Sequence, residues 1–571
     1  MNGDRGDSAQ VSDEILLEPL VKTSGRYYLI MLVLLSLIGW GAYAYFTQVD
    51  QGLGVTGLNR PIFWGVYITN FVFFIGISHA GTLISAILRV TQAEWRRPIT
   101  RAAEAITVFA LCIGAPQVLF DIGRIDRVPN MLLNPHFQSP LLWDVCCITT
   151  YLLGSIFYLY IPTIPDFAIC RDRLPPSMRG RKFLYSVLAL GWRGTEKQKH
   201  ALERGIGFMA IVIIPVAVSV HTVVAFIFSM TIQPMWHSTI MGPYFVIGAI
   251  FTGIASLLIA MAILRKVYHL EAYLKPIHFE NLAKLLIAMA LLWAYATFSE
   301  YLTTFYGYEP AHMSVFYSKF KGAYAPVFWF MVVCCFVIPM SILPFRKLRT
   351  IPGCVTAAVS VNIGMWLERY TIVVPTLTNP RLPYQVQLYH PTWVEVAITV
   401  ASFAMMVLLY MIFVKIFPIV SIWEIQEGRE LARLKQAPPA GVEPLAGRAG
   451  SDARKDEDTF EREMASSRWR STGREEGEFY FKIHVLGIAA SVAVYLTVIG
   501  WMVWCLIKGG WYEFSVVPLV SCVLLAIILA ATRSMVAIAR DWRPSAPTAG
   551  IVSAQPKRVS VEQWTVRATG R

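Results

Sequence analysis

Charge is what this sequence has least of. Only 15% of its 571 residues are Asp, Glu, Lys or Arg, while 56% are hydrophobic; soluble domains carry about 25% charge, so a soluble globular protein is excluded. Missing too is any CxxC pair. The nine cysteines (Cys112, Cys146, Cys147, Cys170, Cys334, Cys335, Cys354, Cys505 and Cys522) lie mostly in apolar runs. Adjacent cysteines such as Cys146 and Cys147 point apart on a helix, so the expectation is small core residues and no iron–sulfur cluster in this chain. The first 26 residues hold Asp4, Asp7, Asp13, Glu14 and Glu18 and no apolar core, which is not the pattern of a cleaved signal peptide.

What is present in abundance is long apolar runs. A spanning helix needs about 20 mostly apolar residues, and twelve runs qualify: Tyr27 to Phe46, Pro61 to Leu88, Ala102 to Ile122, Leu141 to Thr163, Phe208 to Met230, Gly242 to Leu264, Leu282 to Phe305, Pro326 to Pro344, Cys354 to Pro375, Trp393 to Phe417, Ile483 to Ile507 and Phe514 to Thr532. The fold class is therefore an all-α polytopic membrane protein with about 12 transmembrane helices. A charged, Pro- and Gly-containing linker over 425–479 separates ten helices, within 27–424, from the last two, within 480–533, and a polar tail follows over 534–571.

The net charge of +13 is spread over alternate loops, not along one stripe, so no nucleic-acid partner is expected. Arg89, Arg96, Arg97 and Arg101, then Arg171 to Arg204, then Arg265, Lys266 and Lys275, then Arg346, Lys347 and Arg349 fall on one side; the other holds few bases, among them Arg60, Arg124, Arg127, Lys319 and Arg381. By the positive-inside rule both termini, and the segment 1–26, are expected in the cytoplasm.

Helices two to five (about 61–230) and six to nine (242–375) read as two versions of one unit. PIFWGVY at 61 answers PYFVIGA at 243, SAILRV at 85 answers MAILRKV at 261, and Asp121 answers Glu300. An even number of spans per unit makes such a repeat parallel.

Polar residues in apolar runs carry the functional information. The stretch FDIGRIDRVPNMLLNPHFQSPLLWDVCC sets Asp121 at the end of helix three, Arg124 and His136 in the loop and Asp144 inside helix four. Acids on neighbouring helix ends can bind a polar headgroup and accept its protons; the plainer alternative is a rim salt bridge between Asp121 and Arg124, with Asp144 capping a helix. His79, about 27 Å into an inward-running helix counted from Pro61, Glu104 at a similar depth and His221 in mid-span could relay protons or only bond neighbouring helices. In the second unit His237, Glu300, Glu368 and Arg369 fall at or near the outer face, where Glu368 and Arg369 pair with each other or with a neighbouring subunit; this half reads as structural, with a second conduit as the alternative.

Six ordered runs, NRPIFWGVYITNFVFFIGISHAGTLISAILR, RAAEAITVFA, SPLLWDVCCITTYLLGS, PVAVSVHTVV, WHSTIMGPYFVIGAIFTG and FSEYLTTFYG, resemble the polysulfide reductase NrfD-like membrane subunits. They look most like ActC, the quinol-oxidising membrane subunit of bacterial alternative complex III. The resemblance covers about residues 20 to 430. It implies an NrfD-like core of two four-helix bundles plus flanking helices, and a quinol pocket in the first bundle near the periplasm. It also implies partners: a periplasmic iron–sulfur subunit, multihaem cytochrome c subunits, a second NrfD-like membrane subunit and small membrane subunits. The family's pocket aspartate, in a tryptophan-aspartate motif of helix four, falls on Asp144. Where relatives have a His-Leu-Gly-Arg-like run this chain has DIGR, so Asp121 replaces the histidine, and His136 is the nearest imidazole to stand in for it.

The resulting expectation is a quinol-binding subunit, inactive alone, that oxidises menaquinol or ubiquinol near the periplasmic face. Asp144 and Asp121 accept protons, and Arg124 or His136 orients the headgroup. Electrons pass to iron–sulfur and haem c centres in partners, since no metal or haem is expected in this chain. Proton translocation would use His79, Glu104, His221 and Glu300. Two other readings stand beside it: a secondary transporter, and a quinone-reducing NrfD-like anchor of a sulfur-compound oxidoreductase.

Overall fold

The computed structural model describes residues 15–436 except 137, 176, 177, 383, 385 and 386. The expected helices from Ile483 and Phe514, nearly all of the linker, and the tail lie outside the described residues, as do Cys505 and Cys522. Among the described residues every regular element is helical, and ten helices are long and apolar enough to cross a membrane. They are α1 (Gly25–Gln51), α2 (Val66–Val90), α3 (Thr100–Ile122), α4 (Pro140–Tyr160, continued by Ile164–Arg173), α5 (Glu196–Ser229), α6 (Met241–Val267), α7 (Pro276–Gly307), α8 (Ala325–Ile342, with a π turn at Val333–Val337), α9 (Ile351–Thr378) and α10 (Trp393–Ile416). A final helix, α11 (Ile422–Gln436), caps one end.

Two rings of four helices make the core. In the first, α2 packs on α3 and α5, and α4 closes the ring against the same two; in the second, α6 packs on α7 and α9, and α8 closes it. The rings meet mainly along α2 and α6, so α2 is enclosed nearly all round while α1, which pairs with α10, buries little more than Leu34, Gly41, Ala44 and Gln48. Apolar side chains left outward on α1, such as Tyr28, Leu29 and Leu32, suit a lipid surface.

Small residues decide how closely these helices approach. A Cβ on Gly81 of α2 would lie 1.7 Å from the Ala103 carbonyl oxygen of α3, one on Gly41 2.3 Å from Ala401 Cβ, and one on Gly364 2.5 Å from Cys335 Sγ. Such contacts let backbones touch where no hydrophobic force drives helices together. The cysteines follow suit: Cys147, Cys170, Cys334, Cys335 and Cys354 are buried. Cys112, however, is exposed on the outward side of α3.

Helix starts follow from local chemistry. Thr195 and Gln198 form a capping box at α5, and Thr392 and Glu395 do so at α10, each satisfying two otherwise orphaned N–H groups. The basic loops gather at one end, here the basic end. Residues 15–21 form a helical turn that docks there: Lys415 Nζ donates to Pro19 O (2.8 Å) and Arg181 Nη1 to Leu20 O (2.6 Å), with Leu16 and Leu20 buried.

Candidate functional site

Asp144 sits one turn into α4, within the first bundle and away from the basic end. It is 4% exposed, and its Oδ1 is buried without a hydrogen-bond partner. Pro140 at the first helical position starts α4 early enough to carry the acid inside the bundle. A helix-capping role is excluded, because the cap is Ser139.

Asp121 occupies the last turn of α3, with its Oδ1 likewise buried and unpartnered. The rim pair expected between Asp121 and Arg124 does not form. Gly123, in the left-handed conformation at φ 70°, turns the chain so that Arg124 binds Asp126 with two contacts of 2.9 and 2.8 Å. This exposed pair holds the Asp126 carboxyl below its ordinary range, through its hydrogen bonds from Arg124. His136 is exposed in the following loop.

A further buried acid, Glu395 of α10, is one the sequence reading missed. Glu395 is fully buried and accepts from Gly57 N (2.7 Å), Thr392 N (2.9 Å) and the Tyr389 hydroxyl. Beside it Tyr67 donates to Gln48 Oε1 (2.6 Å), and Gln48 Nε2 to Phe120 O (2.7 Å). Tyr67, Gln48 and Phe120 thus tie α2, α1 and α3 together next to Asp121, and Glu395 ties α10 to the loop before α2. Its only sequence signal is the Thr-x-x-Glu of the capping box.

A polar seam runs from the basic end into the first bundle. Glu104 Oε1 accepts from Ser85 Oγ (2.6 Å), which lies 3.3 Å from the Tyr158 hydroxyl. One turn further along α2, Thr82 donates to Thr107 (3.2 Å), and both Thr107 (2.6 Å) and Tyr151 (3.1 Å) donate to Ser78 O. His79 follows, its ring 5.1 Å from that of Tyr151 and 4.3 Å from that of His221. Two expected depths are corrected here. The helix starts at Val66 and not at Pro61, so His79 is near mid-helix, about 20 Å from the start. Glu104 is not at its depth but about 9 Å, six residues of rise, nearer the basic end, where Ser85 sits.

The seam reaches the second bundle through Arg369. Its guanidinium lies 4.9 Å over the Phe245 ring, itself 6.0 Å from His221, and a Cβ on Gly248 would come within 2.5 Å of Nη2. Glu368 and Arg369 pair at 3.0 Å, both 1% exposed, and therefore lie inside the second bundle, not at its rim. Beyond them is a cavity of about 30 Å³ lined by Tyr244, Thr297, Glu300, Tyr301, Lys319 and Met331 among others. Glu300 accepts from Ser238 (2.6 Å) and Lys319 Nζ is 3.4 Å from the Tyr301 hydroxyl. Lys319, read from sequence as a loop base, is buried on the helix Pro310–Phe320, and burial lowers its amine to about 8.

At the basic end, Arg101 forms a buried pair with Asp166 and also donates to Pro418 O (3.1 Å), Pro162 O (3.2 Å) and Ser421 (3.2 Å). Asp166 in turn accepts from Trp423 N (3.0 Å). Arg89 and Arg96 hold Glu424, and Arg97 holds Glu427 at 2.7 Å. These contacts fasten α11; they are structural.

The family profile described as "Polysulphide reductase, NrfD" matches residues 54–380, more than half of the chain and the whole of both helix rings. The chain belongs to the NrfD family. Among curated relatives, the NrfD chain is 29% identical over 239 residues to a putative dimethyl sulfoxide reductase membrane subunit of Halobacterium salinarum, covering 42% of this chain and 51% of that one. The match thus spans about half the length of that relative. It is 23% identical over 418 residues to a selenate reductase subunit of Mesobacillus selenatarsenatis, and 22% identical over 414 residues to an Hdr-like menaquinol oxidoreductase integral membrane subunit of Archaeoglobus fulgidus; each alignment covers 69% of this chain and 94% of the relative. Helices α1, α10 and α11 lie outside the region matched by the NrfD profile.

Proposed function

We propose that this chain is the quinol-binding membrane subunit of a quinol:acceptor oxidoreductase of the alternative complex III type. Asp144 carries this reading: a carboxylate buried inside a four-helix ring, with an oxygen that has no hydrogen-bond partner among the described residues, can take a donor, and a quinol hydroxyl is one. The name of the Archaeoglobus relative, a menaquinol oxidoreductase subunit, supports menaquinol or ubiquinol as the substrate class.

Oxidation of one quinol yields a quinone, two protons and two electrons. Asp144 takes one hydroxyl proton and Asp121 the other, while Arg124 and His136, both exposed in the loop between α3 and α4, orient the headgroup. The electrons go to an iron–sulfur partner on the same side, and from there to haem c subunits. With the basic end in the cytoplasm, that side is the periplasm. The seam from Glu104 to His79 and His221, and Glu300 beyond it, supports proton transfer between the two sides. Against a secondary transporter stands the continuity of α3, α5 and α9: Pro116, Pro215 and Pro375 lie inside them without breaking them, whereas transporters build midplane sites from broken helices.

Purification from native membranes in mild detergent tests the assignment, with partner mass spectrometry and haem and iron spectra on one sample. Co-purifying cytochrome c and iron–sulfur subunits are expected. A lone polypeptide without redox absorption would overturn the reading.

A further inference from the structure

In the bundle that does not hold Asp144, three side chains with metal-binding atoms meet at the end opposite the basic end. His237 lies in the turn between α5 and α6; Glu309 caps, and His312 begins, the helix Pro310–Phe320. His312 Nε2 is 3.2 Å from His237 Nε2 and 3.7 Å from Glu309 Oε2, and ligand atoms of all three lie within 4.8 Å of one another. Ligands held at ordinary zinc distances in a tetrahedron are about 3.3 Å apart, close to the two separations from His312.

The orientation of the rings matters as much as their distance. His237 Nδ1 lies 3.1 Å from the Gln233 carbonyl oxygen, which fixes the proton on Nδ1 and leaves the Nε2 lone pair facing His312. Metal-binding histidines are held in this way by a backbone acceptor on the other nitrogen. The two rings meet edge to face, 4.6 Å apart at 66°, so their Nε2 atoms converge instead of stacking. Glu309 is half exposed, so water can reach a fourth position.

We infer that His237, Glu309 and His312 form a site for a divalent transition metal, zinc(II) above all, with three protein ligands and one open position. Two imidazoles and a carboxylate suit zinc, whereas magnesium and calcium prefer all-oxygen sets. No metal is expected from sequence, because His237 and His312 are 75 residues apart and form no local motif. The site lies beside the second-bundle cavity: Ser238, next to His237, bonds Glu300, and Met235 and Trp236 line the cavity. Bound metal therefore fastens this turn to the surface helix that carries Lys319.

The test is a titration of the tag-free, chelator-stripped full chain in detergent with zinc chloride, followed by calorimetry and thermal melting. One zinc ion per chain is expected, with a raised melting temperature. His237→Ala/His312→Ala should weaken binding at least tenfold, Glu309→Gln should weaken it less, and His269→Ala, an exposed histidine at the basic end, should leave it unchanged. Zinc binding as tight in the double variant as in the wild type, no stoichiometric zinc in the wild type, or equal loss in His269→Ala would each overturn the site. Should the double variant not fold, cobalt(II) in the unaltered chain decides: a tetrahedral absorption spectrum is expected, and an octahedral one overturns the assignment.

Discussion

His79 and His221 stand ring to ring, 4.3 Å apart, inside the first bundle, yet their hydrogen-bonding states are opposite. His79 Nε2 lies 2.6 Å from Ala217 O and Nδ1 2.9 Å from Ile75 O, whereas both ring nitrogens of His221 are buried without a partner. A neutral imidazole has one N–H, so His79 serves only one of its two carbonyls unless a second proton arrives. Neither nitrogen of His221 is hydrogen-bonded to His79, so a proton passing between the two rings requires one of them to turn.

If this pair relays protons, His79→Gln and His221→Gln each slow proton-coupled turnover about 10²-fold, the usual size of a lost acid–base group, with the complex still assembled. Proton release and electron transfer measured together in proteoliposomes check this. A purely structural role predicts another pattern: a lower melting temperature and an unchanged ratio of protons to electrons.

Asp144→Asn keeps the shape of the side chain and removes its ability to take a proton. Quinol oxidation should fall by at least about 10²-fold while partners still co-purify, and Asp144→Glu should recover part of the rate. Full turnover in the Asn variant would remove Asp144 from the mechanism.

Gly81→Ala tests how the fold is built. The added Cβ would meet Ala103 O at 1.7 Å and Thr107 Oγ1 at 2.3 Å, so α2 and α3 must separate. A loss of about 3 kcal/mol or more is expected, at or above the usual overpacking range, read as a lowered melting temperature in detergent. Gly39→Ala, with no atom within 4 Å of the new Cβ, should be nearly silent.

The spans are legible in the sequence because twenty-residue apolar runs are a strong signal; all ten described helices lie where the hydrophobic pattern sets them. What composition cannot supply is depth and partnership. Counting from Pro61 misplaces His79, because residues 61–65 are coil and α2 begins at Val66. Proximity in sequence pairs Arg124 with the wrong acid, because the left-handed turn at Gly123, which redirects the chain, leaves no mark on hydropathy. Glu395 and Asp166 escape a sequence reading because partners such as Gly57 and Trp423 lie hundreds of residues away, and Lys319 because its helix folds back onto Tyr301. Asp144 is legible because it interrupts an apolar run.

The buried Arg101–Asp166 pair, 2% and 0% exposed, joins α3 to the start of α11. Removing one partner leaves an uncompensated buried charge, which costs about 3–5 kcal/mol. Asp166→Ala should therefore lower the melting temperature markedly, whereas Asp126→Ala, breaking an exposed pair (60% exposed), should have little effect. Equal stability of the two variants would mean that the basic end contributes no such fastening.

Glu424 gives the basic end a pH dependence whose sign can be worked out. Burial raises its carboxyl, but Arg89 and Arg96 together outweigh this and hold it below its ordinary value of 4.5. A carboxyl with a depressed folded pKa stabilises fully above its unfolded value, and that contribution is lost as pH falls through the folded one. Docking of α11 should therefore be unchanged between pH 8 and pH 5 and weaken only in more acidic solution, at pH values below about 4.5. Hydrogen exchange of residues 422–436 against pH measures this directly. Glu424→Gln should loosen the helix already at neutral pH, and protection in that variant equal to the wild type would show that Arg101 and Asp166 hold α11 without it.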